Sequence, residues 1–194
     1  MIQTVVSSYL QHQQRILSPY VSHTTSVLDF GCGDMELDRA LLSNHPSLTI
    51  TGVDVVPFRT PLQTRLKFRL YTGHTLPFRD CSFDTVFSYH VLHHTDDPSF
   101  SLQECVRVSS RRIILVEPVL RHPLEIIGFR FMDFVTNIWK PEHIPLPYHV
   151  HTRLFWKQEC KKYPLRSVKI RHVGLLPRFL PIGETLLFVL EKRV

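Results

Sequence analysis

The sequence predicts an α/β fold: a doubly wound sheet of about seven strands, mostly parallel, with an antiparallel strand near one edge and helices on both faces. Three observations carry this prediction. Short apolar runs that end in acids or turn residues alternate with helical patterns through residues 26–118. A glycine turn, Gly31-Cys32-Gly33, joins the first such run to a helical pattern. An acid, Asp54, closes the second run about twenty residues further on, a spacing typical of nucleotide-binding doubly wound sheets.

The elements follow in order. Residues 3–18 place Val5, Val6, Leu10, Ile16 and Leu17 on one helical face, with Pro19 expected just past its end. Ser26–Phe30 is apolar except for Asp29, as suits a strand covered on both faces. A helix should start near Asp34, whose carboxylate can cap it, repeat apolar residues at Leu37, Ala40 and Leu41, and stop near Asn44 before Pro46. Leu48–Asp54, Leu66–Tyr71, Phe83–Tyr89 and Arg112–Pro118 read as further strands. Pro57–Thr64, with two prolines, reads as a turn. Asp97 and Pro98 form a start signal for a helix carrying Leu102, Cys105 and Val106. Ser167–Val173 and Thr185–Leu190 complete the sheet as a hairpin, joined by the proline-rich turn Leu175–Gly183.

At 194 residues, 43% of them hydrophobic, the chain reads as one domain, 1–194, large enough to bury a core without disulfides or metals. Its four cysteines, at 32, 81, 105 and 160, form no C-x-x-C pair, which suits a reducing cytoplasm. The opening residues lack a basic region followed by an apolar run, and no stretch nears the roughly 18 apolar residues of a membrane span. The expected location is cytoplasmic. Net charge is +6, but Lys and Arg are spread from Arg15 to Arg193 instead of gathered in a stripe, which disfavours nucleic acid as a partner.

The glycine turn narrows the ligand. A dinucleotide fingerprint needs glycine where the chain has Glu36, and the phosphate-cradling G-x-x-x-x-G-K-[ST] loop is absent. Val27-Leu-Asp-Phe-Gly-Cys-Gly-Asp-Met35 instead resembles the first motif of the class I S-adenosylmethionine-dependent methyltransferases, with Met35 in place of the third glycine. Leu76-Pro-Phe, Asp80, Ser82-Phe-Asp84, Val91-Leu-His-His94 and Asp97-Pro98 resemble the signature of the small methyltransferases related to quinone-biosynthesis enzymes, which carry a methyltransferase type 11 domain. Residues ~25–118 carry the resemblance; the remainder agrees only in topology.

The resemblance implies a Rossmann-like enzyme with S-adenosyl-L-methionine as co-substrate. It assigns Asp29, Gly31 and Gly33, with Cys32 between them, to the methionine end of the cofactor, and Asp54 to the ribose hydroxyls. Val55 would flank the adenine, and Thr72, Gly73 and His74 would meet its edge, although relatives usually carry an acid near Thr72. Ser88, Tyr89 and His90 would lie nearest the transferring methyl group. For a hydroxyl or phenol acceptor, His90 is the candidate general base, since imidazole titrates near neutral pH; shaping the pocket is its other reading. His93 and His94, beside Asp96 and Asp97, do not make a zinc set, because the remaining ligands would have to come from elsewhere.

Acceptor choice falls to residues 119–163. There Leu124, Ile127, Phe131, Phe134, Val135, Ile138 and Trp139 share a helical face, and Leu154-Phe-Trp156 follows. This region reads either as an active-site lid with an apolar lining or as a buried core helix. Three functional readings stand: methyl transfer to a small, hydrophobic or aromatic acceptor; a cofactor-degenerate scaffold, suggested by Met35 and Thr72; and an RNA or protein methyltransferase, suggested by the basic balance. Oligomeric state is not legible.

Overall fold

The computed structural model describes residues 2–57, 64–137, 149–175 and 182–193. The strands are β1 (Ser26–Phe30), β2 (Thr49–Asp54), β3 (Leu66–Leu70), β4 (Phe83–Tyr89), β5 (Ser109–Leu120), β6 (His151–Thr152), β7 (Leu165–His172) and β8 (Glu184–Lys192). They form one sheet in the order β3-β2-β1-β4-β5-β8-β7, with the two-residue β6 pairing β5 off this path. All neighbours from β3 to β5 are parallel. β8 is antiparallel to both β5 and β7, so the reversed strand lies one place in from the edge.

Helices cover both faces. On one, Ile16, Leu17 and Val21 of α1 (Ile2–Val21) and Leu41 and Leu42 of α2 (Glu36–Asn44) pack on Val27, Ile50, Phe87 and Ile114. On the other, Leu102, Cys105 and Val106 of α3 (Pro98–Val108) and Trp156 of α5 (Arg153–Lys161) pack on Leu28, Val86, Ile113 and Phe188. α4 (Glu125–Asn137) follows β5. Asp97 caps α3, its Oδ1 accepting from Ser99 N at 2.9 Å and Phe100 N at 3.0 Å, with Pro98 in the first turn. No described helix is long and apolar enough to cross a membrane.

Several boundaries differ from the sequence prediction. Pro19 lies inside α1, not after it. Lacking an N–H, Pro19 forfeits one backbone bond two residues before the helix ends, and Ser22 N donates to Ser18 O at 3.2 Å just beyond it. α2 starts at Glu36, two residues later than Asp34, although the Asp34 Oδ1 does accept from Glu36 N at 3.1 Å. β5 extends at both ends: Ser109 pairs with Phe83 of β4, and at the other end Val119 pairs with Glu184 of β8 and Leu120 with Thr152 of β6. β6 carries no hydropathy signal at its length. Most of Pro57–Thr64 and of Leu175–Gly183, together with Ile138 and Trp139, lie outside the described residues.

The Leu76–Asp80 motif has a structural cause. Arg107 of α3 donates to Phe78 O at 2.8 Å, Leu76 O at 3.1 Å and Asp80 Oδ1 at 2.8 Å, while Glu104 Oε2 accepts from Leu76 N at 2.7 Å. The loop before β4 is thereby pinned to the helix after it.

Candidate functional site

β1 has β2 on one side and β4 on the other, so the strand order reverses beside the carboxyl end of β1. Ligands of doubly wound sheets bind in the crevice outside that point. The sequence-predicted residues gather there: Asp29 to Gly33 at the end of β1, Asp54 and Val55 at the end of β2, Thr72 to His74 after β3, and Ser88 to His90 at the end of β4.

The turn is held by the strand next to it. Gly31 N and Cys32 N both donate to Val53 O, at 2.8 and 3.2 Å, and Gly33 N donates to the Asp54 Oδ2 at 2.9 Å. Gly31 has φ 79°, and a Cβ there would lie 2.3 Å from Val91 Cγ1, so glycine is required both by conformation and by space. Gly33 has φ 52°, and a Cβ would meet nothing within 4 Å, which leaves its backbone facing open space. Met35 explains its own substitution. It adopts φ 61° and ψ 25°, the left-handed backbone a third glycine would take, while its fully buried side chain packs beneath Gly52.

Charge at the turn is negative. Asp29 is 4% exposed and Asp38, on the first turn of α2, is wholly buried beside it. Burial and the neighbouring Asp38 push the Asp29 carboxyl well above the usual range, and burial pushes Asp38 up to about 7 against its hydrogen bond from Asp29. Burial also raises Asp54, countered by its bonds from Val56 N and Gly33 N, and raises the Cys32 thiol, which all three carboxyls push further. The N-terminus of α2 already carries Glu36 and Asp38. A phosphate would be repelled here, whereas a cation such as a sulfonium or ammonium is favoured.

The neighbouring loops complete the crevice. Val55 is 39% exposed, and a Cβ on Gly73 would lie 3.6 Å from its Cγ1, so the exposed loop Thr72–His74 runs beside an apolar flank. Asp54 Oδ1 accepts from Val56 N at 3.0 Å, and both carboxylate oxygens keep a lone pair for a diol. Ser88 is fully buried, and its Oγ has no hydrogen-bond partner among the described residues.

At the end of β4, His90 takes φ 57° and its ring stacks on Tyr89 at 4.9 Å. Two features here escape sequence reading. Tyr9 of α1 hydrogen-bonds to Tyr89, bringing the N-terminal helix to the site. Glu117 of β5 anchors the turn Leu92–His94: its Oε1 accepts from Val91 N at 3.0 Å and Leu92 N at 2.9 Å, and its Oε2 meets His93 Nδ1 at 2.8 Å with both side chains buried. Burial alone would raise Glu117, but His93, His90 and the Leu92 N–H hold it below the usual carboxylate range. The available signal was an acid ending an apolar strand.

A doubly wound sheet with an acid-lined glycine turn at its switch point is a Rossmann-like fold. Residues 28–115, a little under half of the chain, match the family described as "Methyltransferase domain". The chain is similar to a demethylmenaquinone methyltransferase of Thermotoga maritima, 31% identical over 121 residues covering 59% of this chain and 52% of the relative. It is also similar to a malonyl-[acyl-carrier protein] O-methyltransferase of Halorhodospira halophila, 32% identical over 101 residues covering 48% and 34%. The chain thus spans about half, or less, of these curated relatives. A solved SAM-dependent methyltransferase from Methanosarcina mazei shares the fold with TM-score 0.67 at 20% identity, covering 92% of this chain and 97% of that one. The Methanosarcina mazei protein is described as SAM-dependent, and the donor set at the turn of this chain fits S-adenosylmethionine: acids for its cationic end, Asp54 for its diol, and Val55 beside an exposed loop for its flat base.

Proposed function

We propose that the chain binds S-adenosylmethionine in the crevice beside β1 and passes its methyl group to a small hydrophobic or aromatic acceptor. The observation that carries this reading is the acid-lined glycine turn, with Gly33 open to ligand and Asp54 beside it. When bound, S-adenosylmethionine supplies an electrophilic methyl group on a sulfonium. The chain's own residues position and desolvate the reactants. Gly31, Cys32 and Gly33 present backbone groups to the methionine end, and the buried Asp29 acts on its ammonium from beneath the turn. Asp54 takes the ribose hydroxyls; Val55, Thr72, Gly73 and His74 border the base. Ser88, Tyr89 and His90 border the methyl group, and His90 accepts the proton of a hydroxyl acceptor.

Relatives named for a quinone-type ring and for an acyl-carrier carboxylate support a small acceptor and differ in its chemistry. The exposed apolar face of α4 favours one with a hydrophobic body. The scaffold reading is weakened by Met35, which keeps the glycine-like backbone of the motif. Calorimetry with S-adenosylhomocysteine tests the proposal. Binding should weaken at least about tenfold in Asp54→Ala, the equivalent of one or two charge-assisted hydrogen bonds. A wild-type chain without measurable affinity at millimolar ligand would instead establish the scaffold. His90→Ala with undiminished turnover at saturating acceptor would remove the base assignment.

A further inference from the structure

The opposite end of the sheet holds a cavity that the cofactor crevice does not use. It lies under α5 against β7 and β8 and measures about 600 Å³, a size typical of small-molecule sites. Leu190 on its floor pairs with Ile113 near the start of β5, whereas the glycine turn sits at the far end of β1. Strand spacing and rise put the two about 20 Å apart.

Its lining is divided by chemistry. The floor is apolar: Leu165, Phe188 and Leu190 are buried, and Ile170 borders them. The rim is cationic: Lys157, Lys161, Arg166 and Arg193. Lys157 and Lys161 stand four residues apart on α5, where like charges repel. Among the described residues neither has an acidic partner, nor has Arg193. The nearby acids are committed elsewhere. Glu191 binds Arg166 at 2.8 Å and Arg112 at 2.6 Å, and the buried Glu159, the one acid of α5, binds Lys162 at 2.6 Å. No acid lines the cavity. An apolar floor ringed by uncompensated ammonium and guanidinium groups is complementary to a ligand with an apolar body and one anionic end.

We propose that this cavity is a second binding site, for an amphiphilic anion: an aliphatic chain lies along Leu165, Ile170, Phe188 and Leu190, and its carboxylate or phosphate is held by Lys157, Lys161 and Arg193. The site is independent of the methyl-transfer reading.

Calorimetry with decanoate, in the presence of S-adenosylhomocysteine, tests it. The expected result is one decanoate per chain, with affinity at least tenfold lower in K157Q/K161Q, lower for decanol, and unchanged in Asp54→Ala. Both lysines are exposed, so the double variant should keep the wild-type unfolding midpoint. Absence of decanoate binding, or equal affinity in wild type and K157Q/K161Q, overturns the proposal. Sedimentation with phosphatidylglycerol vesicles identifies the source: lysine-dependent capture assigns the anion to a bilayer lipid, and decanoate binding without capture assigns it to a free amphiphile.

Discussion

The crevice beside β1 and the α4 region stand at the same end of one sheet and are built in opposite ways. At the crevice, each element is fixed by another: Val53 and Asp54 hold the glycine turn, Arg107 pins the loop before β4, and Glu117 holds the turn after it. α4 has no comparable cover among the described residues. Its Ile127 and Phe131 are 70% and 66% exposed, and Leu124 just before it 70%, so the apolar face read from the sequence is not a buried core helix. On the proposed function the difference separates two tasks: binding a cofactor demands a preorganised backbone, whereas recognising an acceptor is left to a surface free to vary.

If that contrast is right, substitutions in the crevice should affect stability far more than those on α4. The largest effect belongs to Gly31→Ala. The added methyl must displace the β-branched Val91 and hold an unfavourable φ, costing about 3 kcal/mol, readable as a lowered urea midpoint. A near-neutral result would mean that the turn and the loop after β4 are not rigidly joined.

Met35→Gly comes next, and here conformation and packing oppose each other. Glycine relieves the left-handed backbone by about 1 kcal/mol, but deleting a buried methionine side chain costs about 2–5 kcal/mol. Net destabilisation of about 2 kcal/mol should follow in denaturant titrations, with no gain in cofactor affinity. Tighter binding in this variant would show that the missing glycine had been a defect of the site.

The buried carboxyl pair predicts a pH effect. Folding raises the Asp38 pKa from 3.8 to about 7, so the folded state holds a proton that the unfolded chain releases. The stability tied to that proton is complete below pH 3.8 and is lost as pH rises towards 7. Asp38→Asn keeps the shape and removes the part of the loss that belongs to Asp38. It should lessen the slope of the stability profile across that window, leaving the share due to Asp29, and be more stable than wild type by about 2 kcal/mol at pH 8. Parallel profiles for the two proteins would mean that folding does not raise the Asp38 carboxyl.

What could be read from the sequence was what depends on neighbours along the chain. The apolar runs, the glycine turn, the Asp97-Pro98 cap and Asp54 each announce themselves within a few residues, and the structure places them as expected. What could not be read depends on partners brought together by folding. Asp38 is one turn inside an amphipathic helix and reads as a surface acid until the turn folds over it. His93 and Glu117 are 24 residues apart and meet only because β4 and β5 are adjacent. Met35 looks like a lost glycine because the sequence shows a side chain and hides its φ. Periodicity likewise identified the apolar face of α4 but not what covers it.

The smallest expected effect in stability is the most informative for the acceptor. Phe131 and Phe134 are 66% and 53% exposed, so replacing both with serine removes little buried surface and should move the unfolding free energy by no more than about 0.5 kcal/mol. S-adenosylhomocysteine affinity should stay at the wild-type value, because neither residue lies at the glycine turn. If the α4 face lines the acceptor pocket, the same double variant should raise the KM for a hydrophobic acceptor several-fold, as expected when about 1–2 kcal/mol of apolar contact is lost. A large fall in stability would place this face in the core after all, and an unchanged KM would detach α4 from acceptor recognition. Because cofactor affinity serves as the internal control, the experiment separates the two regions: one can fail while the other is untouched only if the sheet has divided cofactor and acceptor between them.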